Sequence, residues 1–104
     1  MEKDIQQVIE RVEFIKNITA NDDNEVVQAI SKQLSNEIEG GGLKYSHKVL
    51  CEPKESLHKF ALHAACLRLS AIKALVSALG SCDILSENDV EFIKDTCDEI
   101  IESE

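Results

Sequence analysis

Residues 54–79, KESLHKFALHAACLRLSAIKALVSAL, decide the fold. The polar positions in this stretch are Glu55, Lys59, His63, Cys66, Ser70, Lys73 and Ser77. They follow one another at steps of three or four residues, so they trace one narrow line along a helix. Apart from His58 and Arg68, the rest is mostly Leu, Ala, Ile, Val and Phe. A helix apolar around so much of its circumference belongs at the centre of a helical domain or against a second subunit. Alanines such as Ala64, Ala71 and Ala74 let neighbouring helices approach closely. Pro53 suits the first turn, where its missing N–H costs little, and Gly80 suits the stop.

Three further helices flank this one. Ile5, Val8, Ile9, Val12, Ile15 and Ile18 make one helical stripe over about residues 2–19. Val26, Val27, Ile30, Leu34 and Ile38 make another over about 22–39, with Asp22 and Glu25 in the pattern of a capping box. The short link between them implies an antiparallel hairpin. Gly40, Gly41 and Gly42 end the second helix and read as a flexible joint. Residues 43–52 show no clear period and read as a loop. The last helix covers about 87–102, with Ser86 as N-cap, Leu85 and Val90 as a hydrophobic staple, and Val90, Ile93, Cys97, Ile100 and Ile101 facing inward. The expected fold is therefore a single all-α domain of four helices around a long, apolar third one.

Composition agrees with this reading. A chain of 104 residues with 43% hydrophobic residues supports one core, and 4% aromatics with four glycines and one proline argue against a strand-and-turn protein. Val12-Glu13-Phe14-Ile15-Lys16 is echoed by Val90-Glu91-Phe92-Ile93-Lys94, but the flanking residues do not align and no period recurs. Phe14 and Phe92 sit beside the main stripes, as extensions of the buried face or as partly exposed anchors. The acidic start Met1-Glu2-Lys3-Asp4 lacks an apolar leader region. The apolar stretch 61–79 is interrupted by His63, Arg68 and Lys73, so no membrane partner is expected. The simplest setting is the cytoplasm, with four reduced thiols.

The formal charge is −9, and it is unevenly placed. Residues 54–79 carry +3, whereas residues 80–104 carry −8. On the last helix Glu87, Glu91, Asp95, Asp98 and Glu102 form a ridge of one sign. Like charges at this spacing destabilise a helix by roughly 0.2–0.5 kcal/mol per pair. A solvated face is the plain reading of such a ridge. The sharper one is a docking edge for a basic protein surface, such as that of a nucleic-acid-binding protein. Direct nucleic-acid binding is disfavoured, because it rests on clustered Lys and Arg.

Chemistry is weakly signalled. Cys51, Cys66, Cys82 and Cys97 contain no Cys-x-x-Cys pair. His47, Cys51, His63 and Cys66 have the residue types of a two-Cys, two-His zinc site. Set against this, Cys66 and Cys97 fit helix positions where a thiol acts as a small apolar residue. A helical histidine also invites comparison with phosphotransfer domains. Neither Ala64-Ala65-Cys66-Leu67 after His63 nor Lys59-Phe60-Ala61 after His58 matches their short Lys/Gly-containing pattern. No nucleophile elbow and no phosphate loop is present, so no enzyme and no cofactor are expected.

The function expected from the sequence is a non-catalytic interaction module, an inhibitor or adaptor that docks through Glu87, Glu91, Asp95, Asp98 and Glu102. Phage and mobile-element inhibitors of nucleic-acid-targeting systems, anti-CRISPR proteins among them, are similar in size and charge. Two alternatives stand beside it: a homodimeric structural or chaperone-like module joined through helix 54–79, and a His/Cys metal or phosphate-relay protein using His47, His58 or His63.

Overall fold

The computed structural model describes residues 2–104; Met1, the first residue of the acidic start, lies outside them. The chain is all-α: α1 (Glu2–Thr19), α2 (Glu25–Ile38), α3 (Leu43–Leu50), α4 (Glu55–Ser81) and α5 (Glu87–Glu102). The four anticipated helices are all present, and the long apolar one is α4 because a short helix precedes it. The four longer helices close a ring: α1 packs on α2 and α5, and α4 packs on the same two from the other side. The short α3 touches α1, α2 and α4. With 27 residues α4 is about 40 Å long, close to the 44 Å long dimension of the domain.

The core follows the periodic stripes. Ile5, Val8, Val12 and Ile15 of α1, Leu34 and Ile38 of α2, Leu69, Ile72, Val76 and Leu79 of α4, and Ile93 and Ile100 of α5 are all buried. Two stripe positions shift at the α1–α2 turn. Thr19 is buried where Ile18 was expected, and of the expected Val26 and Val27 only Val27 is buried; Ile18 and Val26 are exposed. Thr19 can be buried because its hydroxyl donates to the Ile15 carbonyl at 2.8 Å and lies 2.9 Å from Ser31 Oγ.

Several helix ends differ from the sequence expectation. α2 starts at Glu25, and its cap is Asn24, whose side chain accepts from the Val26 and Val27 amides. Asp22 instead accepts from the Asn24 amide at 2.8 Å, one step earlier in the turn. Residues 43–50 are helical, not a loop. Leu43, Ser46 and Leu50 form the buried face of α3, and the serine in the middle hides the period from an apolar count. The glycines before it make a compact turn rather than a loose joint. Gly40 takes φ +62°, and a Cβ on Gly42 would overlap the Glu37 carbonyl oxygen.

α4 begins at Glu55 rather than at Pro53 and runs through Gly80 to Ser81. The left-handed residue that ends it is Asp83, at φ 60°. The Asp83 amide donates to Gly80 O and the Ile84 amide to Leu79 O, both at 3.2 Å, which is a Schellman closure. Gly80 has another role: a Cβ there would sit 2.9 Å from Val90 Cγ2, so the glycine lets α5 come close. By length and hydropathy α4 is the one helix among the described residues in the range of a membrane span. One face of it is nevertheless domain core, with Leu69, Ile72, Val76 and Leu79 fully enclosed.

Candidate functional site

The acidic edge is built by the start of α5. Ser86 Oγ accepts from the Asp89 amide at 3.2 Å and bonds Asp89 Oδ2 at 2.9 Å, which fixes the first turn. Leu85 and Val90 pack on the core at either side of that cap. With Ile93, Cys97 and Ile100 turned inward, the helical repeat turns Glu87, Glu91, Asp95 and Glu102 to solvent. Among the described residues none of these four carboxylates has an ion-pair partner. Lys94, the only cation on α5, pairs with none of them.

Asp98 is the exception and corrects the expectation of five free carboxylates. It is half-exposed and ion-paired with Lys73 of α4. The hydrogen bond to Asp98 raises the Lys73 ammonium above its ordinary value, against the opposing effect of burial. The other cations serve other elements. Lys44 of α3 bridges Glu13 and Glu39, each at 2.7 Å, and Lys16 approaches Glu39 at 3.6 Å. The hydrogen bond from Lys44 holds the Glu39 carboxyl below its ordinary value. Arg68 reaches the buried Glu37 at 3.2 Å, and Gln33 donates to the other Glu37 oxygen at 3.1 Å. The acid on α1 and α2 is thus partly matched, while among the described residues most of the α5 ridge is not.

An open groove of about 770 Å³ lies where α4 turns into α5, lined by residues that include Ser77, Ser81, Ser86, Glu87 and Lys94. No histidine or cysteine is among its lining residues. The arrangement can hydrogen-bond a polar group.

The histidines and cysteines are dispersed. His47 Nε2 and Cys51 Sγ are 3.8 Å apart on α3. His63 Nδ1 meets Glu104 Oε1 at 3.0 Å, and the hydrogen bond from His63 lowers that carboxyl. His58 Nε2 lies 2.6 Å from the Glu52 carbonyl. Cys66 and Cys97 are buried, and desolvation pushes both thiols up to about 12. Among the described residues no three His, Cys, Asp or Glu side chains converge on a metal position, so the set His47, Cys51, His63 and Cys66 is not assembled.

Sequence reasoning missed the Lys73–Asp98 pair; the +3 and −8 charges of the two segments were its only trace. It anticipated surplus apolar surface on α4 but not which residues carry it: Leu57, Phe60 and Leu67 are exposed. Phe14 and Phe92 are partly exposed, and Arg11 lies over the Phe92 ring at 4.6 Å.

These features define an all-α domain with an acidic edge on its last helix, mostly unpaired among the described residues, and an open apolar face on its longest. No family model, no curated protein and no solved structure matches the chain.

Proposed function

We propose that the protein is a non-catalytic interaction module that binds a basic protein surface through α5. The observation that carries this reading is that, among the described residues, Glu87, Glu91, Asp95 and Glu102 have no ion-pair partner. A one-sided row of unpaired carboxylates raises the on-rate for a basic partner and rejects an acidic one. Asp98 belongs to the edge geometrically, but its charge is shared with Lys73. The favoured instance is an inhibitor, anti-CRISPR-like in size and charge, acting in the cytoplasm on a nucleic-acid-targeting enzyme. The nucleic-acid groove of such an enzyme is among the most basic surfaces a small acidic protein meets.

The test is affinity capture from the native host with the wild-type chain and with a Glu87→Lys, Glu91→Lys, Asp95→Lys variant. The expected result is a captured basic protein, lost in the variant while the helical circular-dichroism signal is retained. Binding should also weaken steeply with added salt. Capture of the same proteins with the same affinity by both chains would remove α5 from the interface.

A further inference from the structure

A second surface stands apart from the acidic edge. Leu57, Phe60, Ala64, Leu67, Ala71 and Ala74 recur on α4 at alternating steps of three and four, the seam spacing of a coiled coil. Phe60 is 74% exposed, Leu67 62% and Leu57 46%. At about 100° per residue, this seam lies more than a third of a turn from the core face of Leu69, Ile72 and Val76. It carries no charge of its own.

The order of sizes along the seam is directional. Bulky Leu57 and Phe60 occupy the N-terminal half, and Ala71, Ala74 and Ala78 occupy the C-terminal half, with Leu67 between them. Two copies laid parallel would stack Phe60 on Phe60 and leave Ala74 facing Ala74, overfilling one end and opening a void at the other. Laid antiparallel about Leu67, Phe60 faces Ala74, Ala64 falls opposite the Ser70–Ala71 step and Leu57 opposite the Ser77–Ala78 step. The seam is then complementary to itself, as a two-fold interface requires. We propose that a second copy of this chain covers the outer face of α4, with the two helices antiparallel and Leu67 on the two-fold axis.

Size and charge both fit a reversible dimer. The seam runs about 32 Å along α4 and is about 10 Å wide, and the 8-residue α3 doubles that width over about 12 Å. That is on the order of 450 Å² per copy and about 900 Å² in all, the range of a weak, reversible association. The widening contains an apolar groove of about 330 Å³ lined by Tyr45, Val49, Leu57, Phe60, Ala61 and Ala64. In the antiparallel register this groove receives the Ala74–Leu75 side of the second copy. Arg68, next to Leu67 in the chain, is engaged by Glu37 within its own chain, and Lys59 lies beside Phe60 at the rim. α5 packs on the face of α4 that carries Cys66 and Lys73, away from the seam, so the acidic ridges of the two copies do not oppose each other.

The test is sedimentation equilibrium from about 1 µM to about 1 mM, the span of a useful self-association. The wild-type chain should be dimeric, and Leu67→Asp should weaken the dimer about 30-fold or more. Because Leu67 is exposed, the variant should keep its helical signal; Ala71→Glu is a second variant for the same purpose. Orientation is read by oxidation in a Cys51→Ser, Cys82→Ser background. Leu67→Cys alone should cross-link, Phe60→Cys mixed with Ala74→Cys should cross-link, and Ala74→Cys alone should not. Self-linking of Ala74→Cys would overturn the antiparallel register. A monomer at 1 mM, or a dimer indifferent to both Leu67→Asp and Ala71→Glu in folded protein, would overturn the proposal whether or not α5 binds a partner.

Discussion

Lys73 on α4 and Asp98 on α5 form an ion pair across the seam between the two helices. The pair removes one carboxylate from the acidic edge and ties that edge to the longest helix. Both side chains remain partly solvated, so their coupling should lie below about 1 kcal/mol in a double-mutant cycle and shrink with salt. If α5 is the docking edge, Asp98→Asn should change partner affinity much less than Glu91→Gln or Asp95→Asn does. Isothermal titration against the captured partner measures the difference.

Arg68 and Glu37 should matter more for stability. The Glu37 carboxylate is 10% exposed and depends on Arg68 and Gln33. Arg68→Ala leaves it with the Gln33 amide alone, at an expected cost of about 1–3 kcal/mol. At about 4–8 °C per kcal/mol for a domain near this size, the loss is visible in a thermal melt. The double variant Arg68→Met, Glu37→Met should recover most of it, because the orphaned charge is gone.

The three adjacent glycines should respond differently to alanine. A Cβ on Gly41 meets nothing within 4 Å, so Gly41→Ala should be neutral or slightly stabilising. Gly40, at φ +62°, should lose about 1–2 kcal/mol. Gly42→Ala forces the Glu37 carbonyl to move and should be the most damaging, at about 1–3 kcal/mol or more. Urea titration ranks the three; a tolerant Gly42 would contradict the compact turn.

The buried thiols set the alkaline limit of the fold. Cys66 and Cys97 are raised from 9.0 to about 12 in the folded chain. Their contribution is therefore present below pH 9 and lost as pH rises from about 9 toward 12, because only the unfolded chain releases these protons readily. Lys44 and Lys73, also raised, lose their contribution above their ordinary 10.5. Glu39 and Glu104 are lowered, so their contribution is present above 4.5 and lost in acid. Melting temperature should be highest between about pH 5 and 9 and fall on both sides. With a thiol reagent at pH 8, exposed Cys51 should react first, whereas Cys66 and Cys97 should react only at the rate of unfolding.

Four helices and the acidic ridge were legible in the sequence because helical periodicity is local: a residue's face is set by its neighbours three and four positions away. The same reasoning failed at α3, where Ser46 holds the buried position between Leu43 and Leu50. It failed again at Gly80, which reads as a stop but serves as an approach point for Val90 while Asp83 makes the turn.

The sequence alone determined the α-helical class, the inward stripes and where acid is concentrated along the chain. The tertiary structure decided which carboxylate finds a cation, which glycine is crowded and which apolar residues of α4 stay in contact with water. Those outcomes depend on side chains brought together from distant positions, as Lys73 is with Asp98 and Arg68 with Glu37. Spacing along the chain encodes a helix face, but the neighbour on that face is set by how the helices pack.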